Sequence, residues 1–192
     1  SGNRRAFVPD TIIDLAEQKE GFFDKAAPFE AIDPERVSAA LEQFASWLPD
    51  LISKEIREFS ILPSQMPGPT GESNHWTVYP RGDVLCLGPQ AEQLKIQACQ
   101  ALALGNRVLA VGAEIPEFWT IAADWPLQIR EGKLDPAILQ TIFGLSAVCL
   151  WESESVLRPW RSALAERDGM IVPLLTGPSD IVQLMLERHV FV

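Results

Sequence analysis

A chain of 192 residues, 47% of them hydrophobic, is long enough to bury a core and suits one α/β domain with an appended helical segment. The net charge of −10, with only 16 scattered Lys and Arg, argues against a phosphate-tracking surface, so this segment is not expected to bind nucleic acid. No apolar run reaches the roughly 18 residues of a membrane span, and no signal peptide opens the chain.

Residues 3–31 are weakly patterned. Asp33-Pro34 then marks a helix start, with Asp33 as N-cap and Pro34 at the first helical position. Val37, Leu41, Phe44, Leu48, Leu51 and Ile52 follow at helical spacing, and Pro49 is expected to kink or split that helix. Residues 1–62 are therefore read as an N-terminal helical segment and residues 63–192 as a Rossmann-like α/β domain. A turn rich in Gly and Pro leads into Trp76–Tyr79, read as a strand forming a hairpin-like pair with Asp83–Leu87 around Pro80-Arg81-Gly82.

From Val84 strands and helices alternate. Expected strands are Val84–Leu87, Val108–Val111, Leu127–Arg130, Ala147–Trp151 and Met170–Leu175. Expected helices are Ala91–Leu104, Pro116–Trp125, Ala137–Phe143 (after Asp135-Pro136), one from Ser153 or Ser155 to Arg167, and Asp180–Glu187. Gly105-Asn106 suits a helix stop. His189–Val192 begins an extended segment. This rhythm predicts α/β architecture: a mainly parallel sheet flanked by helices, with right-handed connections.

Dinucleotide binding needs glycines that let the backbone approach a pyrophosphate at a helix N-terminus. No G-x-G-x-x-G occurs, and the strands are followed only by Gly88-Pro89, Gly112-Ala113-Glu114 and Gly177-Pro178. The thiols Cys86, Cys99 and Cys149 show no metal-ligand spacing and read as buried small hydrophobes. The two histidines, His75 and His189, do not suggest zinc, although sequence alone leaves a Cys–His pair open. No catalytic, cofactor-binding or metal residue is assigned.

The candidates that remain concern shape and contact. Glu72 and Asn74 either dock onto a partner and brace the hairpin, or Asn74 caps the turn locally while Glu72 is solvated. Arg81 is placed to pair with Glu72. Trp76, beside the turn, is an interface anchor candidate, whereas Trp47, Trp119, Trp125, Trp151 and Trp160 read as core.

Gly68-Pro69-Thr70-Gly71-Glu72, Asn74, then Pro80-Arg81-Gly82 and Val84-Leu85-Cys86-Leu87 resemble the start of the C-terminal domain of proline utilization A. Glu166-Arg167-Asp168-Gly169 with Ile171-Val172 resembles that family's A-R-D-G-x-I-V segment. Leu186-Glu187-Arg188 with Val190 and Val192 resembles its L-x-E-R-S-x-S-V segment, with His189 and Phe191 in place of the serines. The resemblance spans about Gly68 to Val192. It implies an aldehyde dehydrogenase superfamily-like domain that is not catalytic, covers the substrate-channelling tunnel and supports the aldehyde dehydrogenase domain of the same polypeptide.

The parent protein is implied to use FAD and NAD in converting proline to glutamate. It is implied to be cytoplasmic or peripheral on the inner membrane. Family members continue into an N-T-x-A-x-G-G-N-A tail, so a truncation before that tail is expected. The structural candidates carried over are Gly68, Pro69, Thr70, Gly71, Glu72, Asn74, Pro80, Arg81, Gly82, Glu187 and Arg188. Two rivals stand beside this expectation: a free-standing enzyme with a degenerate nucleotide site, and a protein-interaction module.

Overall fold

The structure is a computed structural model and describes residues 29–60, 65–66, 74–114 and 124–191. Helix α1 (Pro34–Gln43) starts as its sequence dictates: the Asp33 carboxylate accepts from the Glu35 N–H at 3.0 Å, and Pro34 occupies the first turn. Pro49 separates it from α2 (Asp50–Ser60), so the long periodic stretch is two helices.

Two short strands, β1 (Gln65–Met66) and β2 (Asn74–Pro80), precede the parallel core. That core holds β3 (Asp83–Cys86), α3 (Ala91–Ala103), β4 (Arg107–Gly112), β5 (Leu127–Glu131), β6 (Leu145–Cys149), α4 (Glu154–Ala165) and β7 (Leu174–Leu175). The final strand is β8 (Met185–Phe191). The expected helix at Pro116–Trp125 falls mostly outside the described residues.

The five-stranded sheet runs β5-β4-β3-β6-β7, and every neighbouring pair is parallel. It grows from β3 to β4 and β5 on one side, then returns to place β6 on the other side of β3. Side-chain alternation splits the core between two faces. Val84, Cys86, Val108, Ala110, Ala147 and Cys149 pack toward α1, α2 and α3. Leu85, Leu109, Val111 and Val148 pack toward Leu157, Trp160 and Ala163 of α4. The N-terminal helices contribute Val37, Leu41, Phe44, Ile52 and Ile56 to the first of these clusters.

Four expectations are corrected. First, β2 does not pair with β3. It runs antiparallel to β8 along its whole length and to β1 at its start, in a separate three-stranded ribbon. Both edges of β3 are taken by β4 and β6, so no edge is left for β2. Second, Met170–Leu175 is not a buried strand. Only Leu174–Leu175 pairs with β6, while Met170 and Ile171 are 85% and 90% exposed. Pro173 lacks an N–H and cannot carry the ladder upstream.

Third, Asp180–Glu187 is not an α-helix. A 3-10 helix spans Pro178–Leu184, and the chain turns extended at Met185. The Asp180 carboxylate accepts from the N–H groups of Thr176 and Gly177, which tightens the turn, and pairing with β2 overrides the local helical pattern. Fourth, the helix expected over Ala137–Phe143 is a 3-10 helix, Pro136–Gln140, capped by Asp135.

Phe44 is fully buried and stacks at 4.8 Å from the Trp125 ring, where the N-terminal helices meet the sheet. Phe44→Ala is expected to cost about 3–5 kcal/mol and to lower a single unfolding transition in urea. Two separate transitions would show that the helices and the sheet are independent units.

Candidate functional site

The Pro80-Arg81-Gly82 segment is where the antiparallel ribbon joins the parallel sheet. Pro80 ends β2 opposite Met185, and Asp83 opens β3. Gly82 has φ +135°, and a Cβ there would lie 2.4 Å from Ser146 Oγ, so conformation and space both require glycine. The Gly82 N–H donates to Asn106 Oδ1 at 3.0 Å, and the Arg107 N–H donates to the Gly82 carbonyl at 3.1 Å.

Arg81 faces the other way. Its backbone N–H donates to the Leu184 carbonyl and its Nε to the Ser146 carbonyl, each at 3.0 Å. Burial lowers its pKa. The expected partner Glu72 lies outside the described residues.

Asn106 completes this junction. The turn after α3 closes with Gly105 at φ +80°, with the Gly105 N–H on the Leu102 carbonyl and the Asn106 N–H on the Ala101 carbonyl. That geometry points the buried Asn106 amide inward, where Nδ2 donates to the Ala101 and Leu184 carbonyls, both at 3.1 Å. Beside it the Asp83 carboxylate accepts from Arg107 Nε at 2.6 Å, and the Arg107 guanidinium lies 4.7 Å from the Phe29 ring centroid. Desolvation raises the Asp83 pKa, with the Arg107 hydrogen bond and charge opposing it.

In an open parallel sheet, ligands bind beyond the carboxyl ends of the strands where the strand order reverses. Here that point lies between β3 and β6. The chain leaving β3 is Leu87-Gly88-Pro89-Gln90, and its polar groups are already committed. The Gly88 N–H donates to Gln97 Oε1 at 3.0 Å. The Gly88 carbonyl accepts from Gln97 Nε2 at 2.9 Å and from the Trp151 N–H at 3.1 Å. Pro89 has no N–H, and the Gln90 N–H donates to Gln93 Oε1 at 3.3 Å.

Three consecutive positions that would face a phosphate therefore have no donor to offer, and Gln97, the latch, is fully buried. Glu92 adds negative charge in the first turn of α3.

Nucleophilic groups are similarly enclosed. Cys86 and Cys149 are register partners on β3 and β6, Cys99 lies on α3, and all three are buried free thiols. Burial drives the Cys86 thiol well up and pushes Cys99 up to about 12. His75 and His189 sit on β2 and β8 of the ribbon, apart from the core elements that carry the thiols. Among the described residues no cluster of three or more His, Cys, Asp or Glu is arranged to hold a metal ion, and no helix is long and apolar enough to cross a membrane.

The structure thus gathers some of the candidate residues and leaves others apart. Gly68, Pro69, Thr70, Gly71 and Glu72 fall outside the described residues. Asn74 and Trp76 occupy β2 opposite Phe191 and His189, while Glu187 and Arg188 occupy β8 opposite Val78 and Thr77. The Arg188 guanidinium sits 4.7 Å from the Tyr79 ring centroid. One ribbon therefore carries Asn74, Trp76, Pro80, Glu187 and Arg188, and Arg81 and Gly82 root it. Asn106 and Gln97 are the organising residues that sequence patterns passed over. Asn106 registered only as a helix stop, and Gln97 carried no motif.

Two outcomes are expected. Gly82→Ala should destabilise the chain by roughly 3 kcal/mol or more, through the combined positive φ and overlap; an unchanged denaturation midpoint would show that the junction can relax. At pH 8 the three buried thiols should stay unreactive toward iodoacetamide in native buffer, then label together in denaturant. Labelling of the folded chain, read by mass spectrometry, would contradict this enclosure.

No family model matches the chain. It is 30% identical over 159 residues to the bifunctional protein PutA of Klebsiella aerogenes, a stretch covering 80% of this chain and 12% of the relative. The corresponding Escherichia coli protein is 30% identical over 157 residues, covering 78% of this chain and 12% of the relative. The chain thus spans about an eighth of the length of these curated relatives.

Among solved structures, proline utilization A from Bradyrhizobium japonicum superposes with a TM-score of 0.55 at 28% identity, over 72% of this chain and 15% of that one. Proline utilization A with proline bound in remote sites superposes with a TM-score of 0.55 at 27% identity, over 73% of this chain and 16% of that one.

Proposed function

This chain is homologous to a segment of the bifunctional PutA proteins, and from that relation we propose that it is a non-catalytic accessory domain of a proline utilization A polypeptide. In this reading it packs on the aldehyde dehydrogenase domain, supports it, and helps cover the tunnel through which the proline-derived intermediate passes. FAD and NAD would be bound by other parts of that polypeptide.

The observation that carries the reading is the closed switch point. Gln97 spends both ends of its amide on Gly88, and the neighbouring donors are absent or committed, which supports a switch point with no backbone donor free for a cofactor phosphate at Gly88–Gln90. The ribbon supports the contact role. It is a separate antiparallel sheet, tied by the buried Asn106 hydrogen bond to Leu184 just before β8, and it exposes Glu187 and Arg188. An extended strand pair with exposed charged groups is suited to lie against another surface rather than to enclose a small ligand.

The test is deletion of this segment from the whole polypeptide. Coupled conversion of proline to glutamate should fall about tenfold or more, with a lag as the intermediate escapes to solvent, while proline dehydrogenation measured alone changes by less than about twofold. Unchanged coupled kinetics would overturn the accessory role. Loss of both activities in parallel would point to general support of folding without tunnel closure.

A further inference from the structure

Arg81 carries a guanidinium that the fold engages only in part. Its Nε donates to the Ser146 carbonyl at 3.0 Å, and among the described residues its two terminal nitrogens meet no acceptor. Two other partly buried arginines contrast with it. Arg107 pairs with Asp83, and Arg167 gives both terminal nitrogens to the Leu139 and Ile142 carbonyls. Arg81 is half-buried, and burial lowers its pKa with no acid opposing it. A partly desolvated cation without a counter-ion gains more from an anion than an exposed one does.

That guanidinium lines a groove of about 520 Å³ between the ribbon, α2 and the 3-10 helix that precedes β8, within the roughly 300–1,000 Å³ of small-molecule sites. Its walls are apolar: Phe59 from α2, Val78 from β2, Val182 from the 3-10 helix and Met185 from β8. Glu187 lines it as well. The strand register accounts for this arrangement. Val78 lies opposite Glu187 and Pro80 opposite Met185, so these four share one face of the ribbon. Val78 and Met185 pack on the same cluster as Phe59. Arg81 follows Pro80, and its N–H donates to the Leu184 carbonyl. The steps from Val78 to Arg81 span about 10 Å, so the acid and the guanidinium stand at opposite ends of an apolar floor. The groove lies at the start of β3, the other end of that strand from the closed switch point.

We propose that this groove is a binding site for a small monocarboxylate with an apolar body, its carboxylate held by the Arg81 guanidinium. The planar fork of donors matches a carboxylate in shape and charge. A phosphate dianion would call for a second cation, whereas the second charged group on the groove is Glu187. The same acid repels a second carboxylate at the far end, which leaves an uncharged body lying over Val78 and Met185. Binding of such a molecule would be a property of this chain whether or not the accessory role holds.

Phenylbutyrate is a suitable probe, titrated into the isotope-labelled chain and followed through its amide NMR signals. Phenylbutanol, with the same body and no charge, and inorganic phosphate are the controls. Phenylbutyrate should bind saturably, with a Kd on the order of 1 mM for a molecule of that size, and should move the signals of Arg81, Gln183 and Met185. Phenylbutanol should bind about tenfold more weakly, and phosphate should not compete. Arg81→Gln should abolish binding, but it also removes the contact to Ser146. Gln183→Glu therefore serves as the second variant, at an exposed position on the groove. It should weaken phenylbutyrate about tenfold by placing a like charge beside the carboxylate, with the urea midpoint unchanged.

No saturable shift, or equal affinity for phenylbutanol, would overturn the carboxylate site. Phosphate competing as well as phenylbutyrate would also overturn it, by making Arg81 a general anion contact. So would phenylbutyrate affinity that survives Gln183→Glu unchanged.

Discussion

One buried amide holds the molecule's two sheets in register. Asn106 accepts from Gly82 at the root of the ribbon and donates to Ala101 at the end of α3 and to Leu184 just before β8. Its side chain meets most of its hydrogen-bonding capacity in a site closed to water, so losing any partner would leave a buried polar group at a cost of about 1–3 kcal/mol. Gly82 provides the approach, since no other residue fits beside Ser146 at that backbone angle. Arg81 then fastens the same junction to β6 and to the residue before β8. The ribbon is consequently held at its base by contacts to α3, β4, β6 and the 3-10 helix, and its direction relative to the sheet is fixed by the fold.

The same economy of committed polar groups shapes the place where chemistry would occur. A parallel sheet with this strand order has a natural crevice, and here Gln97 takes up the Gly88 N–H and carbonyl beside it. The three thiols are enclosed in the core, and burial raises the pKa values of Cys86 and Cys99. Among the described residues the groups turned outward include Glu187 and Arg188 of the ribbon and the apolar side chains of Phe143, Met170 and Ile171. Homology to a segment of PutA is the setting in which the proposed accessory role is framed.

Much of the architecture was legible in the residues. Asp33-Pro34 and Asp135-Pro136 mark capped starts, Gly105 marks the end of α3, and the short apolar runs at Val84, Val108 and Ala147 mark buried parallel strands, because each signal is local and physically forced. The errors have a shared cause. Pro80-Arg81-Gly82 reads as a hairpin turn when only neighbours in sequence are considered, but the partner of β2 is β8, more than a hundred residues away. Residues 185–187, the end of the helix expected over Asp180–Glu187, yield to that same distant pairing. The closed crevice was legible only as a missing glycine motif. The group that closes it, Gln97, is an ordinary glutamine in a helix until the fold brings it onto Gly88.

The central claim is that this domain uses a Rossmann-like sheet without a nucleotide site, and isothermal calorimetry of the chain with NAD tests it most directly. The closed switch point predicts no saturable heat up to millimolar nucleotide, with tryptophan fluorescence likewise unchanged. Saturable binding in the micromolar range would show that the Gln97–Gly88 latch opens to a ligand, and would contradict the account by making the sheet a working cofactor site.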